Sequence, residues 1–102
     1  MTILYSVNKS PFTDGAFESC LRHAAVGASI LLIEDGVYAA ALGSHVAQRV
    51  ASVLPDTRIF ALAPDLDARG IGEARRISGV QAVDYAGFVE LAVQHDQVIA
   101  WR

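Results

Sequence analysis

The 102-residue sequence has one cysteine, Cys20, one lysine, Lys9, and three prolines, and only 19% of its residues are charged. Each shortage excludes something. One thiol cannot build a disulfide framework within the chain. A single lysine and one adjacent basic pair, Arg75-Arg76, within a formal net charge of −3, leave no basic face for phosphate contact, so direct nucleic-acid binding is not expected. No apolar run approaches the ~20 residues of a membrane helix, because Glu34 and Asp35 interrupt the longest one. The opening Met1-Thr2-Ile3-Leu4-Tyr5 lacks the basic region of a signal peptide and reads as a strand. A cytoplasmic location is expected.

Apolar residues are in excess. They make up 53% of the chain, and the 8 glycines bring the share to about 61%, above the roughly 45–50% of an average soluble domain. Such a chain can bury enough surface to offset its ordering entropy, which excludes disorder. Its length suits a single domain over residues 1–102, with no linker, internal repeat or low-complexity tract. So few charges among so many apolar residues point to a chain that hides part of its own surface in an assembly.

Thr2 to Val7, Ala28 to Ile33, Arg58 to Ala63 and Gln97 to Trp101 are nearly continuous apolar runs, and Val80 to Asp84 is a weaker fifth. A strand with one wet face alternates apolar with polar residues, whereas one covered on both faces does not. The runs therefore read as central strands of a mainly parallel sheet with helices on both sides. Between them, Asp14 to Val26 carries Phe17, Leu21, Ala24 and Ala25 at helical spacing, with Asp14 as cap and Gly27 as the C′ residue. Ser44 is a candidate cap for a helix with Val46, Val50, Val53 and Leu54 on one stripe, stopped by Pro55. Leu66 to Ile77 contains Gly70 and Gly72 and predicts short turns. Asp84 caps a helix with Tyr85, Phe88, Val89, Ala92 and Val93 on one face. This alternation describes a single-domain three-layer α/β/α sandwich of Rossmann or flavodoxin-like type, with about five strands.

Open parallel sheets carry their sites beyond the carboxyl ends of the strands, here the loops Asn8-Lys9-Ser10-Pro11, Glu34-Asp35-Gly36 and Pro64-Asp65. The first has no glycine before Lys9 and is not a phosphate-cradling loop, and Gly70-x-Gly72 lacks the third glycine and a strand directly before it. No cofactor is called for. His23, His45 and His95 fall on three different predicted helices without i, i+4 pairing, so no metal site is expected and they read as surface or helix-end residues. His95 lies near a helix C-terminus, where the dipole favours a cation. Spacing assembles no Ser/His/Asp grouping. Cys20 is the one residue with intrinsic nucleophilic potential, and two readings stay open. Free cysteine is usually buried, and Cys20 flanks the Phe17, Leu21 stripe; Arg22 and His23 nearby could instead favour a thiolate.

An ordered set of short motifs adds a resemblance. Ser10-Pro11-Phe12, Asp35-Gly36-Val37, Phe60-Ala61-Leu62, Asp65-Leu66, Ala68-Arg69-Gly70, Asp84-Tyr85, Phe88-Val89, Leu91, His95 and Ala100-Trp101 together resemble the DsrH/TusB family over essentially the whole chain. The resemblance implies a small subunit of a cytoplasmic sulfurtransferase complex with DsrE-like fold. In it, DsrE/TusD-like and DsrF/TusC-like paralogues join this chain type in a heterohexamer, two copies of each. The complex passes persulfide sulfur to a DsrC/TusE-like acceptor. The DsrH branch serves intracellular sulfur oxidation, and the TusB branch serves tRNA wobble-uridine thiolation. The principal cysteine of the DsrE/TusD-like subunit follows the third strand, where this chain reads Ala61-Leu62-Ala63-Pro64-Asp65 without a thiol. That role does not transfer, and the chain would be a non-principal subunit. Cys20 matches a first-helix cysteine of DsrH-type members. The match makes it the candidate persulfide site and tilts the expectation toward sulfur oxidation, with tRNA thiolation or a purely structural subunit as alternatives.

Overall fold

In the computed structural model, which describes residues 2–24, 27–44, 46–54 and 56–101, the apolar runs form five strands. They are β1 (Ile3–Val7), β2 (Ser29–Leu32), β3 (Arg58–Leu62), β4 (Gln81–Val83) and β5 (Gln97–Trp101), in the order β4-β3-β2-β1-β5. Every neighbouring pair is parallel. Tyr5 sits opposite Ile30 on one side and Ile99 on the other. All four residues of β2 are buried, as expected of a strand covered on both faces, the polar Ser29 included.

The helices are α1 (Ala16–His23), α2 (Val46–Val53), α3 (Ala63–Ala68) and α4 (Tyr85–Gln94), with 3-10 turns over Glu34–Ala40 and Glu73–Arg75. Three successive steps in one direction, from β1 to β4, set α1, α2 and α3 on one face by the right-handed crossover rule. The return from β4 to β5 sets α4 on the other. The two faces are unequal. On the first, Phe17, Cys20 and Leu21 of α1, Val46 and Val50 of α2 and Leu66 of α3 close over Tyr5, Val7, Ile30, Leu32, Ile59 and Ala61. On the second, the buried cluster is only Leu4, Leu31, Phe60 and Leu91, with Phe88, Ile33 and Val83 at its margin.

Several expectations change in detail. Asp14 accepts the Ala16 N–H (2.8 Å), but Gly15 is the N-cap residue. The first helix stops at His23 because Ala24 is already extended, and Gly27, at φ +92°, makes the turn toward β2 rather than the C′ position. Ala25 and Val26 lie outside the described residues, as do His45 and Pro55. The backbone carbonyl of Ser44 takes the Ala47 N–H (3.1 Å), whereas its buried hydroxyl finds no partner among the described residues. Asp84 caps α4 as predicted, accepting the Gly87 N–H at 2.7 Å. The short pieces predicted after Leu66 also form, although α3 begins earlier, at Ala63.

Two differences bear on function. The Gln97–Trp101 run is an edge strand rather than a central one, and its first four residues are exposed. The apolar positions of α4 do not form one buried face. Leu91 is buried and Phe88 half-buried, while Tyr85, Val89 and Val93 are 62%, 62% and 80% exposed.

Candidate functional site

Cys20 lies in the middle of α1, one helical turn from Phe17 and Ala24, on the stripe that closes against the sheet. No part of it reaches solvent: its exposure is 0%. Burial removes the water that would stabilise a thiolate, and the Cys20 thiol is pushed up from 9.0 to about 12. His23, which could have helped, is exposed and turned to another task. Its ring lies 4.7 Å from that of Trp101, and both rings stand edge-on to Tyr5. Trp101 is thereby held within the chain, between α1 and β1.

The carboxyl edge of the sheet brings together the loops that sequence singled out. Gly36 packs so tightly on the Val7 carbonyl that a Cβ there would collide with it. With this contact, Ile33 N–H to Val7 O (3.0 Å) and Gly36 N–H to Ile33 O (2.8 Å) fix the corner after β2. Glu34 sits in that corner at φ +50°, the left-handed region that disfavours any residue with a Cβ. Asp65, in the segment where the resemblance would place a principal cysteine, accepts the Glu34 N–H at 2.7 Å. Arg69 clamps this pair of loops: it binds Asp35 at 2.9 Å and approaches Asp65 at 3.9 Å. The segment after β3 is thus a structural tie. Sequence placed these three loops at one edge, but nothing in it marked Glu34 as the left-handed residue.

The histidines do not converge. His95 is buried rather than at the surface, and it ties the C-terminal end of α4 to β2. Its Nδ1 is 2.6 Å from the Leu91 carbonyl, which can only accept, so Nδ1 carries the proton. In the neutral ring Nε2 then accepts from the Ser29 hydroxyl at 2.9 Å. Among the described residues no group of His, Cys, Asp and Glu is arranged to hold a metal ion, and no helix is long and apolar enough to cross a membrane.

Comparison with known proteins agrees with this layout. Among solved structures, the ychN protein from E. coli superposes with a TM-score of 0.84 at 18% identity, covering 99% of both chains. A protein of unknown function, MTH1491 from Methanobacterium thermoautotrophicum, superposes with a TM-score of 0.74 at 16% identity over 97% of this chain and 96% of that one. At such identities the likeness is one of fold. Sequence relatives go further. Protein TusB from Pectobacterium parmentieri is 32% identical over 99 residues, and protein TusB from Photorhabdus laumondii is 36% identical over 100. Each alignment covers 97% of this chain and 100% of the relative. The family model described as DsrH like protein matches residues 9–98, from the loop after β1 to the second residue of β5. With the family model matching residues 9–98 and these relatives 32% and 36% identical over nearly the whole length, this chain belongs to the DsrH/TusB family.

Proposed function

We propose that the chain is a subunit of a sulfur-relay assembly, built with DsrE/TusD-like and DsrF/TusC-like paralogues, two copies of each chain type, that passes persulfide sulfur to a DsrC/TusE-like acceptor. The observation that carries this reading is α4. A helix that is apolar nearly all round belongs in an interior, yet Tyr85, Val89 and Val93 face outward on a sheet face that, among the described residues, has no other helix. The paralogous subunits are the cover that family membership supplies. Intracellular sulfur oxidation remains the first reading of the branch, on the first-helix position of Cys20. The TusB relatives favour tRNA wobble-uridine thiolation as the second. Deleting the gene distinguishes them by which is lost, oxidation of stored sulfur or the thiolated wobble base.

Within this reading Cys20 packs, and the sulfur travels on the other subunits. Transfer needs a thiolate to attack a sulfane sulfur, with the donor leaving as its own thiolate, and a protonated thiol at zero exposure offers neither charge nor access. The test is the assembled complex incubated with a persulfide donor and the acceptor, then read by mass spectrometry. The expected result is a gain of about 32 Da, one sulfur atom, on the acceptor and none on Cys20, with the Cys20→Ser complex transferring equally well. An adduct on Cys20, with transfer lost in Cys20→Ser, would restore it as a relay thiol.

A further inference from the structure

β5 ends the sheet on one side, and nothing in its sequence guards that edge. Edge strands are ordinarily protected by charge, proline or a bulge. Gln97-Val98-Ile99-Ala100-Trp101 has no charged residue and no proline, and it pairs with β1 residue for residue. Val98 is 46% and Ile99 36% exposed. The outward backbone groups follow from the ladder. Gln97 donates its N–H to the Thr2 carbonyl at the start of β1 (3.3 Å), and direction alternates along a strand. Gln97, Ile99 and Trp101 therefore bond toward β1, while the N–H and C=O groups of Val98 and Ala100 point to the open side. Charges flank the strand: the exposed Asp96 precedes it, and the sequence continues with Arg102.

We propose that β5 pairs antiparallel with β5 of a second copy of this chain, centred on Ile99, so that two five-stranded sheets become one across a two-fold axis. Outward-pointing residues must face one another in such a pair, which leaves only registers centred on a residue. Centred on Ile99, Val98 faces the partner's Ala100, Gln97 faces the partner's Trp101, and Asp96 faces the partner's Arg102 at both ends. Centred on Val98, Asp96 would face Ala100; centred on Ala100, Arg102 would face Val98. A copy of this chain read in reverse thus matches the strand in charge as well as in apolar character, and in one register. Val98 and Ala100 stand beside Leu4 and Ser6, so with their partners they form one apolar strip on the α4 face, while the two Ile99 side chains meet on the other face. Five residues a side bury less than the ~1,000 Å² of a lasting interface, so the contact is weak alone and gains strength in an assembly that holds two copies close. The inference goes beyond the sulfur-relay reading and needs no paralogue. It leaves the Tyr85, Val89 and Val93 stripe to other partners.

The test reads the register by disulfide formation. The full chain carries Val89→Glu and Val93→Glu, which removes association through α4, and is oxidised mildly without any paralogue present; covalent dimer is read on non-reducing gels. In the proposed register two residues at position 99 face each other with Cα atoms about 4.5 Å apart, within disulfide reach. Two residues at position 98 are diagonal neighbours, about 7–8 Å apart, and out of reach. Cys20, at 0% exposure, does not compete. Ile99→Cys should dimerise about tenfold or more faster than Val98→Cys. Ala100→Pro added to Ile99→Cys removes an outward N–H and spares the β1 ladder, so it should slow the dimer about tenfold, with the fold checked by circular dichroism. Charge tests the same register without touching the backbone. In the Ile99→Cys chain, Asp96→Lys or Arg102→Glu alone should slow dimer formation about fivefold, and the two together should restore it. Position 98 linking as fast as 99, a folded proline variant that links at the parent rate, or a charge exchange that restores nothing would overturn the proposal. None of these outcomes bears on capture of the paralogues by α4, so the two readings fail separately.

Discussion

At the scale of single residues, Cys20 and His95 show how burial decides between readings that spacing leaves open. The thiol is held protonated because its folded value, about 12, lies above the ordinary 9.0. Below pH 9 the group is protonated in both folded and unfolded chains, and its stabilising contribution is fully present. Above that, the unfolded chain releases the proton first, and stability is lost at about 1.4 kcal/mol per pH unit until the folded value is reached. The advantage of the parent over Cys20→Ala in urea unfolding should therefore shrink by about 1.4 kcal/mol between pH 7 and about pH 10. A constant difference would mean that the thiol meets solvent. For His95, substitution by alanine strands the Leu91 carbonyl and the Ser29 hydroxyl in the interior, at a cost of about 2–4 kcal/mol. In a double-mutant cycle with Ser29→Ala the two changes should fall short of additivity by about 1 kcal/mol, measured from denaturant midpoints. Sequence placed Cys20 beside an apolar stripe and His95 at a helix end. It could not say what would close over them, since the covering side chains come from strands and helices far along the chain. Ser29, 66 residues from His95, is the clearest case.

At the scale of elements, four strands were legible because each lies in a nearly continuous apolar run, with Val80 to Asp84 the weaker fifth, and β5 spans the predicted Gln97 to Trp101. What a run cannot report is how many neighbours the strand has, so an apolar edge strand reads like a central one. The same ambiguity governs α4. With apolar residues nearly all round, its sequence does not identify which stripe meets its own sheet; Leu91 with Phe88 does, and Tyr85, Val89 and Val93 do not. The two stripes should respond differently to charge. Val89→Glu combined with Val93→Glu should change the folding free energy by no more than about 0.5 kcal/mol, because both sites are already solvated. The same pair should abolish capture by the paralogous subunits. Leu91→Glu should instead unfold the chain, by burying a charge with no partner. Thermal melts followed by circular dichroism, with a pull-down, separate the two effects. The turn at Glu34 was not legible, because its conformation is set by Asp65 and by the approach of Gly36 to β1 rather than by local propensity.

For the molecule as a whole, the alternation of apolar runs and amphipathic segments was enough to predict a parallel three-layer sheet, and crossover handedness then fixes which helices share a face. The imbalance between those faces follows from strand order. Among the described residues three connections lie on one side and a single ten-residue helix lies on the other, which leaves Tyr85, Val89 and Val93 of that helix exposed. The low charge content of the chain is the same fact seen in composition. Light scattering on the chain expressed alone, and expressed together with its DsrE/TusD-like and DsrF/TusC-like paralogues, tests this most directly. Alone, the chain should self-associate or precipitate; together, one defined species containing all three chain types should form. A monodisperse monomer that stays monomeric in the presence of the paralogues would contradict it.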